Sequence, residues 1–256
     1  MNPFDNIFSL SGKTALIAGA SRGIGWAIAQ ALSAQGAHTI LAARSIDKLE
    51  ARAKELPNSR ALRLDLTVSD SIRAAAATAG DTEILVNVSG TNIRKRFEEF
   101  TREEYNRILQ TNLHGIFELT QLVGAKMIAR GQGGKIINIG SLMSLLGLPY
   151  LTVYAVSKGG IGQLTKSLAA EWGRYNIQVN CIAPGFIITD LNRAMWQPPE
   201  MEAWLQRSQA NPRLGRPEDV APLAAFLASR AADYITGQII AVDGGYSTTA
   251  VWPFEP

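Results

Sequence analysis

KTALIAGASRGIG, residues 13–25, is the stretch from which the fold is read. Lys13–Ala18 is a short apolar run, of the kind that forms a strand buried on both faces. Gly19, Gly23 and Gly25 follow it as G-x-x-x-G-x-G. Ile24, Ile28, Ala31, Leu32 and Gln35 then recur at helical spacing, and Gly36 closes the helix. Strand, glycine turn and helix in that order make the first half of a βαβ unit. Glycines at the turn let the backbone approach a phosphate at a helix N-terminus. The spacing differs from the usual G-x-G-x-x-G, and an ordinary strand-to-helix turn would use the same glycines.

The pattern repeats along the chain. Further strands are predicted at Thr39–Ala43, Ala61–Leu66, Glu83–Val88, Lys135–Ile139, Ile177–Ile182 and Gln238–Val242. Helices are predicted near Asp47–Leu56 and Ile72–Thr78, from Thr101 to about Arg130, over Val153–Trp172, and from Pro217 to Ala228. Thr101 and Glu104 form a capping box, and Pro217 stands in a helical first turn. Seven strands alternating with helices call for an α/β fold: a doubly wound, parallel, seven-stranded Rossmann-type sheet in a single domain over residues 1–256. Such sheets bind ligands beyond the carboxyl ends of their strands. Residues 186–212, with Trp196, Trp204 and Pro198-Pro199, read as an elaborated loop or lid near the substrate.

Composition narrows the function. Of 256 residues, 46% are hydrophobic and 18% charged, which excludes a disordered chain. Against 22 acidic residues stand 25 basic ones, too even a balance to argue for nucleic acid. No apolar run reaches the roughly 20 residues of a membrane span. The start, MNPFDNIFSLSGK, lacks the basic and apolar regions of a signal peptide. The single cysteine, Cys181, suits a reducing compartment, so a cytoplasmic location is expected. No metal site is expected.

Tyr154 and Lys158 lie at i and i+4 near a helix start and share one face. A phenol is a poor base at neutral pH, and a neighbouring ammonium should lower its pKa. Such a pair can exchange a proton with a hydroxyl or carbonyl, although chance pairs of this spacing are common. Ser141, just past the fifth strand, can hydrogen-bond a carbonyl oxygen or simply serve a turn.

Together these residues are more specific than any one alone. From about Ser11 to Gly245 the chain resembles the short-chain dehydrogenase/reductase family, in its single-domain branch. The glycine motif is Ala18-Gly19-Ala20-Ser21-Arg22-Gly23-Ile24-Gly25. Asp65 and Leu66 stand where the family contacts adenine. Asn87-Val88-Ser89-Gly90 replaces the usual Asn-Asn-Ala-Gly. Asn112, Ser141, Tyr154 and Lys158 fall at the four catalytic positions. Pro184, Gly185, Ile187 and Thr189 match the segment that holds the nicotinamide carboxamide. Ala18, Val88-Ser89 and Gly140 depart from the family pattern without removing a catalytic group. The resemblance implies Tyr154 as general acid or base, with Lys158 stabilising its phenolate and binding the nicotinamide ribose. It implies Ser141 orienting the reacting oxygen and Asn112 holding a water. By spacing alone Asn112 would be an exposed or capping residue. The resemblance also implies a homotetramer paired through the long helices. A dinucleotide-binding regulator would keep the fold and lose the chemistry; the presence of Ser141, Tyr154 and Lys158 argues for an enzyme.

An acidic residue at the end of the second strand accepts the ribose hydroxyls of NAD, whereas an arginine there accommodates the phosphate of NADP. Here the position is Ala43, followed by Arg44, with Arg22 in the glycine loop. NADP(H) is therefore expected ahead of NAD(H). Around the substrate, Thr91-Asn92-Ile93-Arg94-Lys95-Arg96 and Ser141-Leu142-Met143-Ser144 resemble the gluconate 5-dehydrogenase group. That implies a sugar acid or small polyol held by Ser141, Met143, Tyr154 and Arg94, with Asn92 and Ser144 adding hydroxyl contacts. Lys95 and Arg96 are expected to face water. Similar sequences also reduce 3-oxoacyl thioesters and simple ketones.

Overall fold

The computed structural model describes residues 2, 4–190 and 192–248. The outer ends of the 1–256 domain, and Leu191 within the 186–212 segment, lie outside the described residues.

Seven strands form one sheet: β1 (Thr14–Ala18), β2 (His38–Ala43), β3 (Ser59–Arg63), β4 (Ile84–Asn87), β5 (Gly134–Ile139), β6 (Ile177–Pro184) and β7 (Ile239–Val242). Their order is β3-β2-β1-β4-β5-β6-β7, and every pairing is parallel. The order reverses between β1 and β4, which is where such a sheet opens a crevice.

Helices cover both faces, as a parallel sheet requires. One layer holds α1 (Gly23–Ala34), α2 (Ile46–Ala53) and α8 (Pro217–Ala228), which bury Ile28, Leu32, Leu49, Val220 and Leu227 against Ile17, Leu41 and Val86. The other holds α3 (Ser69–Ala79), α5 (Gly115–Arg130) and α6 (Thr152–Trp172), which bury Ile72, Ile116, Leu119 and Ile161 against Leu16, Leu85, Ile136 and Val179. Truncating one of these, as in Leu85→Ala, would cost about 2–5 kcal/mol in transfer and cavity energy.

Three local expectations are corrected. β3 ends at Arg63, not Leu66: its partner β2 ends at Ala43, whose carbonyl accepts the last rung from Leu64 N–H (2.9 Å). The single helix expected over residues 101–130 is α4 (Arg102–Leu109) and α5 joined by a π-helical turn, Gln110–His114. The 186–212 segment contains a helix, α7 (Pro199–Ser208), with Pro199 at its first position. The capping box is present: Thr101 Oγ1 accepts from Glu104 N–H (3.2 Å), and Glu104 Oε2 from Thr101 N–H (2.9 Å).

Candidate active site

The glycine turn is built by close packing. Gly19 has φ of +104°, and its N–H bonds the Ala42 carbonyl (2.7 Å). A Cβ on Gly25 would stand 2.2 Å from the Gly19 carbonyl oxygen, so only glycine lets α1 sit this close to the end of β1. Arg22 takes the N-cap position without capping by its side chain, and no acidic residue occupies the first turn of α1. The N–H groups of that turn therefore form a fixed positive end. Ser21 and Ile24 complete the turn. Thr189 Cγ2 would lie 3.5 Å from a Cβ on Gly23, which brings the segment after β6 against the glycine turn. That segment is held by Gly185 N–H on the Val242 carbonyl (3.0 Å) and by a bridge from Ile187 to Gly215. Asn192 fastens it: Oδ1 accepts from Thr189 N–H (2.8 Å), and Nδ2 donates to the Ile187 carbonyl (2.8 Å). Sequence reading passed over Asn192, whose only signal was an asparagine three residues after Thr189.

Arg44 is exposed at the end of β2, beside a half-buried Ala43. Burial opposes ionisation of Asp65, but bonds from Thr67 Oγ1 (2.7 Å) and N–H (2.9 Å), with the charges of Arg44 and Arg63, hold its carboxyl below the ordinary value. Leu66 is buried, with its carbonyl against Gly115. Asn87 is fully buried, and its Nδ2 donates to Thr120 Oγ1 (2.9 Å) and Asn138 Oδ1 (2.8 Å). Its amide ties β4 to α5 and β5. Beyond it, Val88 and Ser89 N–H both bond the Ala18 carbonyl (2.9 and 3.0 Å), and Ser89 Oγ lies beside Gly19.

Four side chains meet past β4 and β5. The π-helical turn points Asn112 inward, where it is wholly buried. Asn112 Oδ1 accepts from Thr91 N–H (2.7 Å), while Nδ2 donates to the Thr91 carbonyl (2.8 Å) and to Ser157 Oγ (3.1 Å). Ser157 in turn donates to the Tyr154 carbonyl (2.7 Å). Asn112 thus clamps the loop after β4 onto α6. Lys158 is buried, and its Nζ donates to the Ile139 carbonyl (2.7 Å). Burial lowers its pKa to about 8 against a small opposing effect of Cys181, the fully buried thiol on β6. Gly90 lies against both Lys158 Nζ and Asn112 Oδ1.

The Tyr154 phenol is shifted opposite to expectation. Burial raises its pKa, outweighing the hydrogen bond from Ser141 and the charge of Arg94. Lys158 Nζ stands 5.8 Å from the Tyr154 ring centroid and bonds Ile139, so the expected lowering by the ammonium does not occur. At neutral pH Tyr154 carries its proton.

The substrate side is largely apolar. Leu142, Met143 and Leu151 are buried beneath Tyr154, Phe186 and Tyr246. The Phe186 ring is met by Trp196 (5.4 Å), Trp204 (5.1 Å) and Tyr246 (4.9 Å). Arg94 is exposed, reaches Met195 Sδ in the 186–212 segment, and bears on Tyr154 by charge. Lys95 is half-buried and pairs with Glu104 (3.0 Å). Arg96 and Asn92 are exposed. Ser144 Oγ donates to the Lys158 carbonyl (2.8 Å) and accepts from Ser141 N–H (3.3 Å), so it joins the Ser141 turn to α6. Among the described residues no cluster of His, Cys, Asp or Glu could hold a metal ion, and no helix is long and apolar enough to cross a membrane.

A family model described as enoyl-(acyl carrier protein) reductase matches residues 19–247. The gluconate 5-dehydrogenase of Gluconobacter oxydans is 36% identical, across 95% of this chain and 98% of that protein. The 2-dehydro-3-deoxy-D-gluconate 5-dehydrogenase of Bacillus subtilis is 40% identical, across 96% and 99%. The chain belongs to the short-chain dehydrogenase/reductase family. A solved gluconate 5-dehydrogenase from Burkholderia cenocepacia, in complex with NADP and tartrate, superposes on it with a TM-score of 0.91 at 36% identity, across 96% and 99% of the two chains. As a short-chain dehydrogenase/reductase, the chain is an oxidoreductase. Two departures from the family pattern carry a structural account: the carbonyl of Ala18 takes two N–H bonds from Val88 and Ser89, so the backbone alone ties the first and second motifs together.

Proposed function

We propose that this chain interconverts a secondary alcohol and a ketone with NADP(H), NAD(H) being the second choice, and that Tyr154 is its general acid or base. The observation that carries the reading is one cluster in which Lys158 and Asn112 meet at Gly90, Ser141 hydrogen-bonds Tyr154, and the Tyr154 ring stands 5.8 Å from Lys158 Nζ. Gly19, Ser21, Arg22, Gly23, Ile24 and Gly25 would hold the pyrophosphate at the first turn of α1. Arg44 would take the ribose phosphate, and Asp65 with Leu66 the adenine side. Ser89, Gly90 and the Asn87 backbone would border the nicotinamide ribose, with Pro184, Gly185, Ile187 and Thr189 beside the ring. The uncapped first turn of α1 and the lack of an acid at Ala43 suit that group. When bound, it supplies the hydride.

In the reduction direction, Ser141 positions the carbonyl oxygen and Tyr154 protonates it. In oxidation, Tyr154 must first lose the proton that burial holds on it, and Lys158 would bind the nicotinamide ribose hydroxyls. Asn112 is a positioning residue that fixes the Thr91 loop.

The substrate we infer is a sugar acid or small polyol, held by Ser141, Met143, Tyr154 and Arg94 under the 186–212 segment as a lid. The charge of Arg94 beside Tyr154 and the likeness to proteins named gluconate 5-dehydrogenase support it. The apolar wall of Met143, Phe186 and Tyr246 favours a second reading, a reductase of simple ketones or 3-oxoacyl thioesters. A spectrophotometric screen of NADPH oxidation against keto-sugar acids, simple ketones and 3-oxoacyl thioesters separates the two. Turnover of none of them would overturn both.

We further propose a cytoplasmic homotetramer. A groove of about 710 Å³ between α5 and α6, lined by Leu113, Phe117, Gly160 and Leu164, is where the long helices of a second copy would pair. Light scattering at the monomer mass would refute it.

A further inference from the structure

We propose that Arg63, at the end of β3, is a third residue that recognises the ribose 2′-phosphate and so helps choose NADP(H) over NAD(H). The inference rests on the NADP(H) reading above and extends it to an element outside the glycine turn and the β2 end.

Placement comes from the sheet. In the parallel register Arg63 is the direct partner of Ala43, the residue where an NAD-selective site would carry its acid. Arg44 follows immediately. The glycine turn is pinned to the same strand end, because Gly19 and Ala20 N–H both bond the Ala42 carbonyl (2.7 and 3.2 Å). Arg22 lies two residues beyond Ala20. Three arginines from three consecutive loops and strands thus surround the end of β2.

Side-chain direction agrees. Leu62 and Leu64 are buried in the layer of α3, α5 and α6, whereas Ala61 and Ala43 pack toward the layer of α1 and α2. Alternation along β3 turns Arg63 toward the same side as Ala43 and Asp65. Arg22, Arg44 and Arg63 are all exposed, and among the described residues none of the three is in an ion pair or side-chain hydrogen bond. Asp65 is the acid on which Arg44 and Arg63 act, and Thr67 already donates two hydrogen bonds to its Oδ1. Arg44 and Arg63 both act on Asp65 by charge, which sets them in one neighbourhood. Two guanidinium groups acting on one carboxylate, with Arg22 on the adjoining glycine turn, leave an excess of positive charge. Guanidinium suits a phosphate because it offers paired donors in one plane.

Binding of nucleotide fragments isolates this effect from catalysis. Adenosine 2′,5′-bisphosphate and adenosine 5′-monophosphate should be titrated calorimetrically at fixed ionic strength. Wild type should prefer the bisphosphate. Arg63→Gln should weaken the bisphosphate by about tenfold, with the monophosphate unchanged within twofold, and Arg63→Lys should keep part of the preference. An unchanged ratio in Arg63→Gln would overturn the proposal while leaving the NADP(H) reading standing, with Arg22 and Arg44 sufficient. Equal losses on both fragments would make Arg63 a structural residue and also overturn it. If wild type holds both fragments equally, the NADP(H) reading falls, and the proposal falls with it.

Discussion

The two halves of the crevice are built from different materials. On the β1–β3 side, the glycine turn, the β2 end and the loop after β4 are joined mainly by backbone: Gly19 and Ala20 N–H to Ala42, Leu64 N–H to Ala43, Val88 and Ser89 N–H to Ala18. On the β5–β7 side the walls are side chains: Met143, Phe186, Trp196, Trp204 and Tyr246, with Arg94 across the mouth. A backbone site fits one invariant group and tolerates little change. A side-chain wall can be repapered to fit another substrate while the frame stands.

The sharpest way to probe that division is to cross it at its seam. Tyr154→Phe should lower turnover by about 10²–10⁴-fold, since the phenol proton is lost while the ring still packs. NADPH affinity, measured by fluorescence titration, should stay within about twofold. Near-normal kcat would remove Tyr154 from its role. Next in size is pH. Burial holds the Tyr154 proton above the ordinary phenol range, so reduction should lose rate only on the alkaline side. Oxidation needs the phenolate, whose formation burial opposes, so kcat should climb about tenfold per pH unit through the neutral range. Coincident pH profiles in the two directions would contradict this assignment.

Gly25→Ala tests the backbone half. Its new Cβ meets the Gly19 carbonyl, and overpacking costs about 1–3 kcal/mol, so Tm and NADPH affinity should fall together. Trp204→Ala tests the other half: it should raise KM for the carbonyl substrate and leave NADPH affinity alone. A Trp204 variant that loses NADPH binding would erase the boundary drawn here. Smallest is Arg94→Ala, expected to raise KM about tenfold for an acidic substrate and little for a neutral ketone. Equal losses at fixed ionic strength would make Arg94 a latch on Met195 and nothing more.

The same division governed what could be read from the sequence. β1, its glycines and the alternation of elements are local signals, and the parallel order follows from them. Asn112, Tyr154 and Lys158 were found by motif, but their partners were not. The clamp on Thr91 depends on a π-helical turn, for which Gln110–His114 carries no compositional mark. Asn87 finds Thr120 and Asn138 from 33 and 51 residues away. Lys158 turns to Ile139, and so leaves Tyr154 to the effect of burial, through a geometry that i and i+4 spacing does not contain. The Lys95 ion pair is not legible from the capping box, although the Glu104 carboxylate reaches both Thr101 N–H and Lys95. α7 was legible in principle, since Pro199 at a first helical position is a start signal.

Cys181 lends the molecule a clock. It is the chain's single thiol, wholly enclosed on β6, the strand beside the edge strand β7, and near Lys158. A thiol reagent can reach it only when the sheet opens around β6. Its labelling rate, compared with that of a free thiol, therefore reports how often this part of the core parts. Slower labelling with NADPH present would measure, in time rather than in affinity, how strongly the bound dinucleotide keeps the two halves shut.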